Sequence, residues 1–135
     1  FRSVDSKLSE RTGFSNSRQI WRVVRQRVVD SCASVIDIDY LDASLVPQLN
    51  RSIAEYSIYD YIENQLNLSI SHAFKEITID NATDQDKILI DLGKDQHVVC
   101  VRSKVYLNNG KQFQFTESRH KLEKFKFVDY AKRHH

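Results

Sequence analysis

Residues 97–120 constrain the fold more than any other stretch. From His97 to Leu107 the side chains alternate, with Val99, Val101, Val105 and Leu107 on one face and Arg102 and Lys104 on the other. A period of two is the signature of a strand with two different environments. Asn108-Asn109-Gly110 has the composition of a tight hairpin turn, and Gln112 to His120 follows as the returning strand. An antiparallel pair is therefore written directly into the chain. Ile20 to Val29 and Val35 to Leu41 repeat the pattern across a polar turn at Asp30–Ser34, and Ile70 to Asp80 and Phe125 to Tyr130 add two more strands.

Helices fall between these hairpins. Ser6 to Thr12 reads as a short helix with Ser6 as its cap and Gly13 as its stop. Ser57 opens a second, Ile58 to Leu66, with Asp60 three residues after the cap. A third runs from Asp84 to Leu92, capped by Thr83 and stopped by Gly93. Strands in hairpins with helices inserted among them make an α+β domain on a mostly antiparallel sheet, not a parallel βαβ fold.

The chain has 135 residues, enough for one domain with a proper core, and one Pro and three Gly leave no linker or repeat. A net charge of +2 argues against a dedicated nucleic-acid surface. No apolar run approaches the roughly 18 residues of a membrane span. Cys32 and Cys100 read as free thiols of a reducing cytoplasm. Phe1 is not a natural start, so the chain reads as a fragment. Residues 1–133 form the domain, and His134 and His135 read as the remnant of a tag.

Three groups of residues could carry chemistry. In Trp21–Arg27, alternation puts Trp21, Val23, Arg25 and Arg27 on one face. Two guanidiniums beside apolar surface need an anion, and their fork suits carboxylate or phosphate. The chain offers its own anions: with a hairpin symmetric about Cys32, Arg27 lies opposite Asp37 and Arg25 opposite Asp39. Both readings stand, since a carboxylate can orient an arginine that also meets a ligand. Ser57 sits at a helix N-terminus, where a serine is usually just a cap, and a nearby arginine pair would favour an anion site instead. Along Gln112–His120, Gln114, Thr116, Ser118 and His120 share one face, fit for sugar hydroxyls or for water. Phe113, Phe115, Glu117 and Arg119 share the other if the strand is regular. His72 and His97 have no metal-ligand spacing, and no phosphate-cradling glycine loop or nucleophile elbow is present.

The closing segment Thr116-Glu-Ser-Arg-His-Lys-Leu-Glu-Lys-Phe-Lys-Phe-Val-Asp-Tyr-Ala-Lys-Arg133 resembles the end of the UTRA domain. That is the effector-binding domain of bacterial GntR-superfamily regulators of the HutC subfamily. Trp21–Arg27, Asp37–Tyr40 followed by Val46-Pro47, and Ser57–Glu63 agree in order and spacing, so the likeness covers essentially the whole chain. The Ser57–Glu63 and closing strings are most like the trehalose-responsive repressors. The resemblance implies a chorismate-lyase-like fold without lyase activity, no cofactor and no metal. It implies a homodimeric, cytoplasmic repressor that meets operator DNA through a separate N-terminal winged helix-turn-helix, absent from this chain. The implied effector is trehalose 6-phosphate, with a different phosphorylated sugar or small metabolite as the alternative. Carried over by motif, Arg25, Arg27 and Ser57 hold the phosphate, and Asp37, Tyr59, Gln114, Glu117 and His120 line the sugar. Gln114 and Glu117 have opposite parity, so they share a pocket only through a bulge or the strand end.

Overall fold

The computed structural model describes residues 2, 3, 5–15, 17–45 and 69–131. Six strands form a single antiparallel sheet: β1 (Arg2–Ser3), β2 (Gln19–Val29), β3 (Cys32–Asp42), β4 (Ile70–Asn81), β5 (His97–Leu107) and β6 (Gln112–Lys121), in the order β1-β2-β3-β6-β5-β4. Two hairpins, β2–β3 and β5–β6, are joined side by side because β6 also pairs with β3. This makes β6 an interior strand with both edges occupied. It also fixes parity across three strands: Asp37 pairs with Ser118, and Ser118 with Val101.

Helices α1 (Ser6–Thr12) and α2 (Asp84–Leu89) accompany one face of the sheet. There Leu8 and Phe14 join Ile36, Ile38 and Tyr40 of β3, Val98 and Cys100 of β5, Phe115 of β6, and Ile90 and Leu92 beyond α2. Each such side chain, fully removed from water, contributes roughly 1.5–3 kcal/mol. Cys100 is fully buried there, and burial pushes its thiol up to about 12; both cysteines are free.

Local chemistry sets the element ends. Asp5, not Ser6, caps α1, its carboxylate accepting from the Leu8 N–H at 2.9 Å. Gly13 closes the helix in the left-handed region (φ 86°), as its position predicts, and a Cβ there would meet the Gln112 side chain at 3.1 Å. Thr83 and Asp86 form a reciprocal capping box at α2, but the helix stops at Leu89, short of Gly93, because Ile90 turns extended. The β2–β3 turn is tighter than expected: Asp30 and Ser31 alone make it, both at positive φ (51° and 62°), and Cys32 already belongs to β3.

Two expectations are corrected. The two-residue turn pulls the β2–β3 register three residues from the expected one and a bulge between Arg27 and Val28 returns one, so Arg25 lies opposite Asp37 and Arg27 opposite Val35. Residues 125–130 do not form a strand either. A single 3₁₀ turn, Leu122–Lys124, ends β6, and the chain from Phe125 to Ala131 has no regular structure. A strand needs a neighbour to receive its hydrogen bonds, and a segment leaving β6 finds β3 and β5 already on both sides. The expected helix Ile58–Leu66 lies outside the described residues.

Candidate functional site

The sheet face opposite α1 and α2 gathers the polar side chains of β2, β3 and β6. Despite the shifted register, the ion pairs expected from the sequence form along diagonals. Arg27 grips Asp37 through Nε–Oδ2 at 2.7 Å and Nη2–Oδ1 at 3.2 Å, and Arg25 Nη2 donates to Asp39 Oδ2 at 2.8 Å. Cross-strand diagonal neighbours stay within reach of a side chain as long as arginine. Behind each carboxylate stands a residue of β6: Ser118 Oγ donates to Asp37 Oδ1 at 2.7 Å, and Gln114 Nε2 to Asp39 Oδ1 at 3.2 Å.

Burial grades this face. The Arg25 and Arg27 side chains keep 41% and 54% of their surface open to water, whereas Asp39 is 4% exposed and Gln114 1%. Burial raises the Asp39 carboxyl above its ordinary value, opposed by the Arg25 charge and hydrogen bond. His120 is held below the usual imidazole range by burial and then by the Arg27 cation, with Asp37 opposing, so near neutrality it stands uncharged. Among the described residues, Gln114 Oε1 is buried without a hydrogen-bond partner, an acceptor suited to a donor such as a hydroxyl. At the hairpin end of the face, a groove of about 240 Å³ opens between Arg27, Val35, His120, Lys124, Phe125 and Lys126.

Of the residues singled out in the sequence, Arg25, Arg27, Asp37, Gln114 and His120 are brought together here. Ser57 and Tyr59 lie outside the described residues. Glu117 stands apart: β6 runs without a bulge between Gln114 and His120 in its pairing with β3, so Glu117 points to the helix-covered face. There it is 0% exposed and meets three guanidiniums: Arg11 of α1, Arg102 Nε at 3.3 Å and Arg119 Nη1 at 3.5 Å. Arg119 in turn clasps Asp86 of α2, Nε–Oδ1 at 2.8 Å and Nη2–Oδ2 at 2.9 Å, while Arg102 binds Asp80 at 2.6 Å. The Arg102 hydrogen bond holds the Asp80 carboxyl at about 2. This six-membered charge cluster was not read from the sequence. Its one local signal is the Thr-x-x-Asp box at Thr83, which places Asp86 but not its partner.

The arrangement presents donors and acceptors of the kind that suit anions and hydroxyls. Forked cations face water on one side and are backed by carboxylates, an amide, a hydroxyl and a neutral imidazole, and the one thiol in the core is inert. Comparison with known proteins gives that chemistry a family. The UTRA domain description matches residues 2–126. The chain belongs to the UTRA family.

The UTRA domain described here is 49% identical over 114 residues to the HTH-type transcriptional regulator TreR of Bacillus subtilis, a match covering 84% of this chain and 48% of TreR. It is 27% identical over 135 residues to the B. subtilis transcriptional repressor NagR, covering 98% of this chain and 56% of NagR. The chain thus spans about half the length of these relatives. In three dimensions it superposes on the effector-binding domain of the B. subtilis trehalose repressor with a TM-score of 0.90 at 42% identity, over 99% of this chain and 93% of that one. A GntR-family regulator from Bacillus cereus shares the fold at a TM-score of 0.87 and 23% identity. These relatives are transcriptional regulators rather than enzymes. Among the described residues no helix is long and apolar enough to cross a membrane.

Proposed function

We propose that this UTRA domain is the effector sensor of a repressor of trehalose utilisation and that its effector is trehalose 6-phosphate. The observation that carries the reading is the pair Arg25 and Arg27, half open to water on the same face as Asp37, Gln114 and His120. A phosphate monoester recruits the exposed sides of the two guanidiniums, and Ser57, carried over by motif, adds a hydroxyl. Asp37, Gln114 and His120, with Tyr59 by motif, meet sugar hydroxyls. Glu117 acts from the far side of β6, holding the strand against α1. Similarity to TreR supports the choice of trehalose over other sugars. The domain works in a cytoplasmic homodimer whose operator contacts are made by a separate DNA-binding region, and effector binding relieves repression.

Calorimetric titration with trehalose 6-phosphate, free trehalose and glucose 6-phosphate tests this. We expect binding of trehalose 6-phosphate, with free trehalose weaker by at least about tenfold, since the phosphate's charge-assisted hydrogen bonds contribute roughly 1.5–3 kcal/mol each. Arg25→Ala/Arg27→Ala abolishes the heat. If trehalose 6-phosphate gives no heat and glucose 6-phosphate does, the domain senses a different phosphorylated sugar; unchanged binding by the double variant rejects the arginines as the phosphate site.

A further inference from the structure

The segment that follows β6 carries charge that the effector reading has not yet used. The 3₁₀ turn Leu122–Lys124 bends the chain back, and the Phe125 ring lies edge-on to the His120 ring, with centroids 5.2 Å apart. That aromatic contact pins a strap, residues 121–126, beside the end of the polar face. Charge within the strap is sorted. Its single carboxylate, Glu123, is bonded to Lys121 at 2.9 Å and does not line the groove, whereas Lys124 and Lys126 do. Among the described residues, no acidic side chain lines the groove. Asp37, its nearest carboxylate by connectivity, is already claimed by Arg27 and Ser118.

Arg27, backed by Asp37, together with Lys124 and Lys126 therefore flanks one opening that has no carboxylate among its described lining residues, around an uncharged imidazole and three apolar side chains, Val29, Val35 and Phe125. A volume of about 240 Å³ lies below the roughly 300–1,000 Å³ of whole ligand pockets, so the groove suits one end of a ligand. A group small enough, and anionic enough, is an oxyanion on a larger neutral body.

We propose that the strap completes the phosphate end of the effector site, with Lys124 and Lys126 joining Arg27 as an oxyanion subsite that selects phosphorylated over unphosphorylated ligands. This rests on the phosphosugar reading and adds to it the residues that set the requirement for phosphate. Ammonium groups on flexible stems contribute charge rather than fixed geometry, so they raise affinity for a dianion and leave sugar selection to Gln114 and His120.

The test titrates this chain, and its Lys124→Gln/Lys126→Gln variant, with trehalose 6-phosphate, free trehalose and inorganic phosphate at two salt concentrations. Both lysines are exposed, so the variant folds with an unchanged melting temperature. We expect trehalose 6-phosphate to bind about tenfold more weakly to the variant, a few-fold for each exposed charge, with a flatter salt dependence. Any heat from free trehalose stays the same, and Lys124→Arg/Lys126→Arg restores affinity. Equal affinity and equal salt dependence in the glutamine variant overturn the proposal. Wild-type silence toward trehalose 6-phosphate, with inorganic phosphate bound and then lost in the variant, keeps the oxyanion subsite and removes the trehalose reading. Silence toward both removes both.

Discussion

The two faces of β6 use the same chemistry to opposite ends. On one, Arg25 and Arg27 meet Asp39 and Asp37 with 41% and 54% of the arginine side chains in water. On the other, Arg119 meets Asp86 and Glu117 with the three side chains 6%, 1% and 0% exposed. A guanidinium that keeps a wet side can accept a second anion without giving up its first. One enclosed among carboxylates cannot, because any unpaired partner bears the full cost of desolvation. Burial, rather than residue type, separates the open-face pairs from the Arg119 pairs that hold α2 to the sheet, while the Arg11–Glu117 pair at α1 keeps 46% of its arginine side chain in water.

The sharpest way to break this comparison is to cut the enclosed network. Asp86→Ala strands Arg119 and removes the carboxylate of the α2 capping box, and should cost about 3–5 kcal/mol, measured by urea unfolding. A loss under about 1 kcal/mol would show that water reaches the cluster and that the two faces are alike.

Acid titration sharpens the same point at the rim of the cluster. Asp80, held at about 2 by Arg102 against an ordinary 3.8, is more acidic folded than unfolded. Its contribution is complete above pH 3.8 and is lost as pH falls toward 2. Asp80→Asn should therefore flatten the stability profile within that window and leave its shape unchanged above it.

The smallest stability effect belongs to the open face. Arg27→Ala should lower unfolding free energy by less than about 1 kcal/mol, as exposed pairs do, while weakening phosphosugar binding. A stability loss as large as that of Asp86→Ala would make Arg27 part of the scaffold and remove the distinction.

Much of this architecture was legible from alternation and turn residues. Strands β2 to β6 emerge from alternating or β-branched composition even though β4 is exposed almost throughout and β3 buried almost throughout, and Gly13 and Thr83 mark helix ends by local backbone chemistry. The arginine–aspartate pairs were legible even though the register was not. The tight Asp30–Ser31 turn, only partly offset by the bulge at Arg27/Val28, shifts the ladder, but arginine is long enough to find its carboxylate diagonally. Residues 125–130 carry strand-like composition yet have no strand, since their fate depends on whether a neighbouring edge is vacant, and that is a property of topology. The charge cluster was hidden for the same reason: Arg11, Asp80 and Asp86 reach Glu117 and Arg119 only after the sheet is assembled. Glu117 shows both sides at once. Its parity was readable, and the regular pairing of β6 with β3 turns that parity into a burial on the helix side.

The regularity of β6 also bears on how such a sensor can diversify. Gln114, Ser118 and His120 occupy alternate positions from Glu117 and Arg119 along one uninterrupted stretch. On the proposed effector reading, substitutions at the even positions change ligand preference, and changes at the odd ones alter foldability. On that reading the stretch from Gln114 to His120 interleaves two traits residue by residue, coupled where the buried Gln114 also supports Asp39.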